Sequence, residues 1–443
     1  MRSVVVVLTL VIANATVAAP GDPVIDFEKY VLPNGLEVIL APDPRVPIVA
    51  VDVWYHVGSG NETQGRTGFA HLFEHMMFQG SKHVAEDQHW AVLKQIGVRE
   101  GNGSTNASRT NYFEDVPSNQ LETALWLESD RMGYLLDRDF AKSFAIQIDV
   151  VRNERRERYE NVPYGKSRLV LAQAMYPENH PYHVPTIGKH EDLVAASVDD
   201  VKRFFKTWYV PANATLTIAG DFDVAATKKL VAKWFGSFPP SKKPVLVKPA
   251  TPVITAREVV ASDALAKLRQ VTFAWHTPAY FEDGDAELDV AAAALARDGG
   301  GRLFEALVYA RPLADSVTAT QRSTAFSSMF TVVVSLRDDA AIDEVKRIVA
   351  AEIATLAKTP VSPSELGVTL AQTEALAIRG LQTPLARAEA LQGFNHYLGS
   401  PDKLSWDLDR YRTTSAEKVR ATVARHLVPG RMLTMIINPG AKP

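Results

Sequence analysis

The chain contains no cysteine, so neither a disulfide framework nor a thiolate metal site is available to it. An excess of one charge is also missing. With 48 Lys and Arg against 51 Asp and Glu, the net charge is -3, which argues against the basic footprint of a nucleic-acid-binding protein. Beyond the N-terminal segment no apolar run is long enough to cross a bilayer. No Gly-Lys-Ser/Thr follows the glycines at Gly101 and Gly103, which removes a phosphate-binding loop from consideration. What is present is a chain of 443 residues, 46% hydrophobic, longer than one hydrophobic core usually supports. Two or more domains of a globular enzyme are expected.

The N-terminus reads as an address. Met1-Arg2 gives a minimal positive region, Val4 to Ile12 a short apolar core, and Thr16-Val17-Ala18 a small-residue cleavage site. A signal peptide over residues 1–18 and export to the periplasm are therefore expected. A cysteine-free protein suits an oxidising compartment because it cannot mispair.

Residues 236–252 carry Pro239, Pro240, Pro244, Pro249 and Pro252 with little periodicity, which marks a linker. It separates two halves, 24–235 and 253–443, and these resemble each other. The run Ser197 to Gly220 aligns without a gap on Ser415 to Asn438, with Val201 on Val419 and Pro211 on Pro429. In both, a helix leads through Val-Pro into a strand, so two copies of one fold are expected. Strands grouped with helices predict an α+β class, each half an antiparallel-rich sheet flanked by helices on one side. Strands are expected at 37–40, 48–57 and 270–275, and helices at 67–79, 85–96, 118–135, 140–160 and 285–297.

One motif carries chemistry. His71-Leu72-Phe73-Glu74-His75 lies in a helical run, where residues three or four apart share a face. Both imidazoles can reach one ion while Glu74 projects beside it, the arrangement of a hydrolytic zinc site. Such a site needs a third protein donor. Glu154 and Glu157 in RNERRERYE are candidates, although that run also reads as a solvated helix face with charge pairs three and four apart. His83 and His89 lack the motif's spacing and are expected on the surface.

With these motifs the sequence resembles the M16 (pitrilysin-like, or inverzincin) metallopeptidases, from about residue 26 to the C-terminus. The resemblance rests on GFAHLFEHMMFQGS, GNGSTNASRTNYFEDVP, LWLESDRM and DVVRNERRE. It implies zinc (Zn2+) held by His71, His75 and Glu154, with Glu74 as general base and Glu157 behind the ligands or on the helix surface. It also implies that Asn106 and Ala107 lie in a strand that pairs with an extended peptide substrate. Read alone, Gly101-Asn102-Gly103 is equally a turn feeding an ordinary strand.

The sequence departs from the family pattern in two places. Where family members carry an Arg and a Tyr seven residues apart that hold the substrate and its oxyanion, Val308 and Asp315 stand here. Gln147, two turns before Glu154, replaces a frequent Glu. The resemblance thus implies a zinc-bearing subunit whose homologous partner supplies the Arg/Tyr pair, cleaving short unfolded peptides. A homodimeric peptidase and a non-catalytic scaffold of the same fold are the alternatives.

Overall fold

The computed structural model describes residues 21–440, apart from 247, 298 and 338–340. The expected signal peptide, residues 1–18, lies outside the described residues. Strands β1 (Glu28–Val31), β2 (Glu37–Pro42), β3 (Ile48–Tyr55), β4 (Glu100–Thr105), β5 (Thr110–Pro117) and β6 (Ala214–Gly220) form one sheet in the order β1-β2-β6-β3-β5-β4. Strands β7 (Arg257–Asp263), β8 (Gln270–Thr277), β9 (Ala314–Arg322), β10 (Ser328–Leu336) and β11 (Leu433–Pro439) form a second, in the order β7-β11-β8-β10-β9. Set β1 aside and the two orders coincide. Each sheet has one parallel pair, β2 with β6 and β7 with β11, and is otherwise antiparallel. No helix or strand forms among the described residues between Phe235 and Arg257.

The repeat extends to the caps. Ser197 and Ser415 each cap a helix, Val198–Trp208 and Ala416–His426, by accepting a hydrogen bond from the backbone N–H three residues on. Pro211 and Pro429 then open a short 3-10 turn before β6 and β11. The first half also contains α1 (Phe69–Met76), α2 (Gln88–Gln95), α3 (Leu121–Tyr134), α4 (Ala141–Arg155) and α5 (Gly165–Met175). The helix expected over 140–160 is α4 followed by one π-helical turn, Arg156–Glu160.

Helices lie on both faces of the sheets, which corrects the one-sided arrangement. The cause is visible in β3 and β6, buried over nearly their whole length: a strand with two covered faces does not alternate. The inner face of the first sheet packs on its own core, including Leu72, Phe73, Leu125 and Phe235. The outer face is covered from the other half by the helix Pro384–Leu398, whose Ala388 and Leu391 meet Ile39, Ala41 and Ala219. Gln392 fixes this contact by donating from Nε2 to the carbonyls of Asp52 and Thr215. Conversely, Ala174, Met175 and Tyr176 at the end of α5 pack on Ala274 and Leu433 of the second sheet. The halves exchange covering helices.

A buried polar chain runs through the first of these contacts. Thr215 Oγ1 donates to Glu37, so it accepts from His56 Nε2–H at 2.9 Å, and His56 Nδ1 then accepts from His396 Nδ1–H at 2.7 Å. Both imidazoles are neutral in this chain. Burial pushes His56 down to about 3 and His396 well below the usual imidazole range.

Candidate metal centre

Helix α1 starts at Gly68, whose φ of 88° a side chain rarely adopts, and a Cβ there would lie 2.9 Å from the Ile187 carbonyl. Glu62 takes up the free N–H groups of this first turn, accepting from Gly68 and Ala70 at 2.9 and 2.8 Å. Burial pushes the Glu62 carboxyl up to about 8. Phe69, Leu72, Phe73 and Met76 anchor the helix in the core and turn His71, Glu74 and His75 into a cavity of about 880 Å³. The last turn of α4 brings Glu154 to the same place.

His71, His75 and Glu154 offer donor atoms that all lie within 4.8 Å of one another. Glu154 Oε2 is 3.3 Å from His75 Nε2 and 3.6 Å from His71 Nε2. Arg158, one turn on, holds the other oxygen, Oε1, at 2.9 Å. Burial keeps His71 neutral, its pKa pushed down to about 4, with the neighbouring His75 acting the same way. At His75 burial works against charge, but the Glu154 hydrogen bond and the Glu74 carboxylate outweigh it and the pKa rises. Burial likewise opposes ionisation of Glu154, and its histidine and Arg158 partners overcome it, so its pKa falls. Two imidazole nitrogens and an ionised carboxylate oxygen around one point match the donor set of zinc. His71 Nδ1 is buried and has no hydrogen-bond partner among the described residues.

Two side chains steer this set. Gln147 Oε1 lies 3.2 Å from His75 Nδ1 and, by accepting that N–H, leaves the Nε2 lone pair for a cation. The sequence places Gln147 on the right helix face but suggests only a weakened electrostatic part for it. Thr105 Oγ1 donates to Glu74 Oε2 at 2.6 Å, and no feature of the sequence points to it. Burial raises the Glu74 carboxyl. Gly103 allows this approach, because a Cβ there would meet Glu74 Cγ at 3.0 Å. Thr105 and Gly103 belong to β4, the outer edge of the first sheet, so the helix faces an open strand edge.

Other expected residues fall elsewhere. Asn106 and Ala107 lie in the turn after β4, not in the strand, because the Asn106 side chain accepts from the backbone N–H groups of Ser108 and Arg109 and bends the chain. Their carbonyls are used by Ser59 and Gly60, though both residues line the cavity. Glu157 is exposed on the π-helical turn. His83 is exposed and bound to Asp130. His89 is not on the surface: it is 3% exposed, on the apolar side of α2, edge-on to Phe78. Val308 sits in the π-helical turn Glu305–Tyr309 and Asp315 in β9, and neither lines the cavity. The second half contributes Arg322 to Ala325 and Tyr397 instead.

A doubled α+β fold, with paired histidines and a glutamate on one helix facing a glutamate on another, defines a metallopeptidase class. The chain belongs to peptidase family M16. Residues 37–159 match the insulinase (peptidase family M16) domain, and residues 195–372 the peptidase M16 inactive domain. Zinc protease PqqE of Helicobacter pylori is 28% identical over 344 residues, which are 76% of each protein. The crystal structure of a protease from Helicobacter pylori shares the fold with a TM-score of 0.86 at 24% identity, covering 94% of this chain and all of that one. The periplasmic protease PqqL from Escherichia coli has a TM-score of 0.78 at 16% identity, covering 95% of this chain and only 48% of PqqL. This chain thus matches about half of that molecule.

Proposed function

We propose that the protein is a zinc-dependent endopeptidase of the periplasm, the catalytic subunit of a heterodimer, acting on short unfolded peptides. The observation that carries this reading is the convergence of His71, His75 and Glu154 beside a half-buried Glu74 that is itself hydrogen-bonded to an open strand edge. Zinc held by those three residues would supply a Lewis acid and a water that ionises near neutral pH. Glu74, kept in place by Thr105, takes the proton of the attacking water and returns it to the departing amine nitrogen. An extended peptide laid along β4 presents its carbonyls past Glu74, with backbone pairing that reads little sequence. Asn106 and Ala107 shape the end of that edge.

The heterodimer reading is supported by the two positions at which the family pattern has its Arg/Tyr pair. Val308 and Asp315 cannot donate to an oxyanion and lie outside the cavity. The match to about half of PqqL agrees with a second, similar chain completing the enclosure. For export, the support is the N-terminal sequence pattern together with the likeness to a periplasmic protease. No helix among the described residues is long and apolar enough to cross a membrane.

The test uses purified chain, alone and with a homologous subunit that carries the Arg/Tyr pair. Zinc analysis should give about one ion per chain, and cleavage of an unstructured oligopeptide should rise about a hundredfold or more on mixing. Glu74→Gln should keep the zinc and reduce cleavage by about a thousandfold. Full activity of the isolated chain would remove the heterodimer, and full activity of Glu74→Gln would remove the mechanism.

A further inference from the structure

Between the two halves the metal cavity continues into a side chamber of about 330 Å³. Its walls mix apolar groups, Leu171, Ala172 and Tyr176 at the end of α5, Val184 and Pro185, and Met329 on β10, with the hydroxyls of Ser59, Thr186 and Thr324. Two guanidinium groups also line it: Arg168 from α5 and Arg322 from the last position of β9. Both are exposed, and neither has a hydrogen bond or an ion pair among the described residues; Arg168 only overlies the Tyr159 ring at 5.9 Å. The arginines nearer the metal centre are committed. Arg158 pairs with Glu154, and Arg155 with Glu160 and the Gly188 carbonyl. No carboxylate lines the chamber among the described residues. Tyr159, Tyr182 and Arg322 line both spaces, so a peptide on β4 reaches the chamber without leaving the metal cavity.

Two unpaired cations over a partly apolar hollow are complementary to a side chain or chain end with an apolar stem and an anionic tip. We infer that this chamber is a substrate subsite for a carboxylate-bearing residue, with Arg168 and Arg322 as its specificity-determining groups. The inference rests on the peptidase reading and sharpens its substrate class to peptides that place a carboxylate in this chamber. The carboxylate comes either from an Asp or Glu side chain or from the peptide's own C-terminus.

Binding separates these cases without turnover. Zinc-loaded Glu74→Gln protein, with its partner subunit where one is required, is titrated with fluorescent peptides that differ at one position, Glu against Gln, and at the last residue, free acid against amide. One of the two pairs should differ by about tenfold in Kd, and which pair differs names the source of the carboxylate. Arg168→Ala combined with Arg322→Ala should reduce that difference to about twofold or less, and the double Lys variant should recover much of the preference. Equal binding of both pairs, or a preference that survives the double Ala variant, overturns the subsite. Cleavage of the neutral peptide by the unaltered protein is scored separately. If it is cut with no acidic preference, the peptidase reading stands and the subsite falls. Carboxylate-dependent binding without cleavage of any peptide leaves the subsite standing and removes the peptidase reading.

Discussion

Each half of the molecule opens a cavity between a helix and the outer edge strand of its sheet. In the first, α1 and the turn after it present His71, Glu74, His75 and Phe78 toward β4, and α4 adds Glu154. In the second, the helix Asp285–Leu295 and the residue after it present Asp289, Ala292, Ala293 and Ala296 toward Thr318 to Gln321 of β9, in a space of about 450 Å³. The spacing of the four positions is identical, and their separation along the chain matches that of the Ser197 and Ser415 runs. The fold therefore builds the hollow twice and equips it once. Asp289, the counterpart of His71, is satisfied by the Tyr411 hydroxyl at 2.8 Å, and burial pushes its carboxyl up to about 7. With alanines at the next two positions, the counterparts of Glu74 and His75 are missing.

The sharpest way to break this comparison is to measure metal binding. His75→Ala should lower zinc affinity by at least about a thousandfold, whereas Asp289→Ala should leave the zinc content at one per chain by elemental analysis. Zinc lost from the second variant would mean that the second hollow holds metal after all. A smaller effect tests why the first hollow works. Gln147→Leu keeps all three donors but frees the His75 ring, and should weaken zinc about 10- to 100-fold in a chelator competition.

The smallest effect concerns the contact between the halves. His56 has a folded-state pKa of about 3 against 6.5 when free, so the unfolded chain binds its proton first. Its contribution is complete above pH 6.5 and declines by about 1.4 kcal/mol per pH unit as the pH falls from there toward 3. His396 shifts the same way; Lys29, Glu37 and Arg109 lie in the same contact. Urea unfolding at pH 7 and pH 5 should show this loss, and His56→Gln should reduce it. An unchanged pH slope in that variant would place the acid sensitivity elsewhere.

Much of this was legible in the sequence, for reasons that differ by residue. The repeat was visible because Ser197 and Ser415, with the prolines that follow, are local cap and turn signals that need no tertiary context. His71 and His75 were adjacent on one helix face, and family resemblance selected Glu154 from two candidates that spacing alone could not separate. Thr105 carried no signal because a hydroxyl at a strand end looks the same whether it meets a carboxylate or water. His89 misled because a histidine in an amphipathic helix carries no mark of which face is buried. The exchange of helices was hidden because the apolar residues of α5 do not say which sheet they will cover.

That exchange constrains how the chain acquires its structure. The outer face of β2 and β6 carries Ile39, Ala41 and Ala219 beside the polar Glu37 and Thr215, and the residues that cover it lie at 384–398. Hydrogen bonds such as His56 to His396 and Gln392 to Asp52 span 340 positions. While the chain is still emerging from N- to C-terminus, the first sheet can close its own core but must expose that face until most of the second half exists. Loop closure over such distances is slow, and a bare sheet face meanwhile invites aggregation. The first sheet therefore reaches its final packing only once residues 384–398 have arrived to cover it.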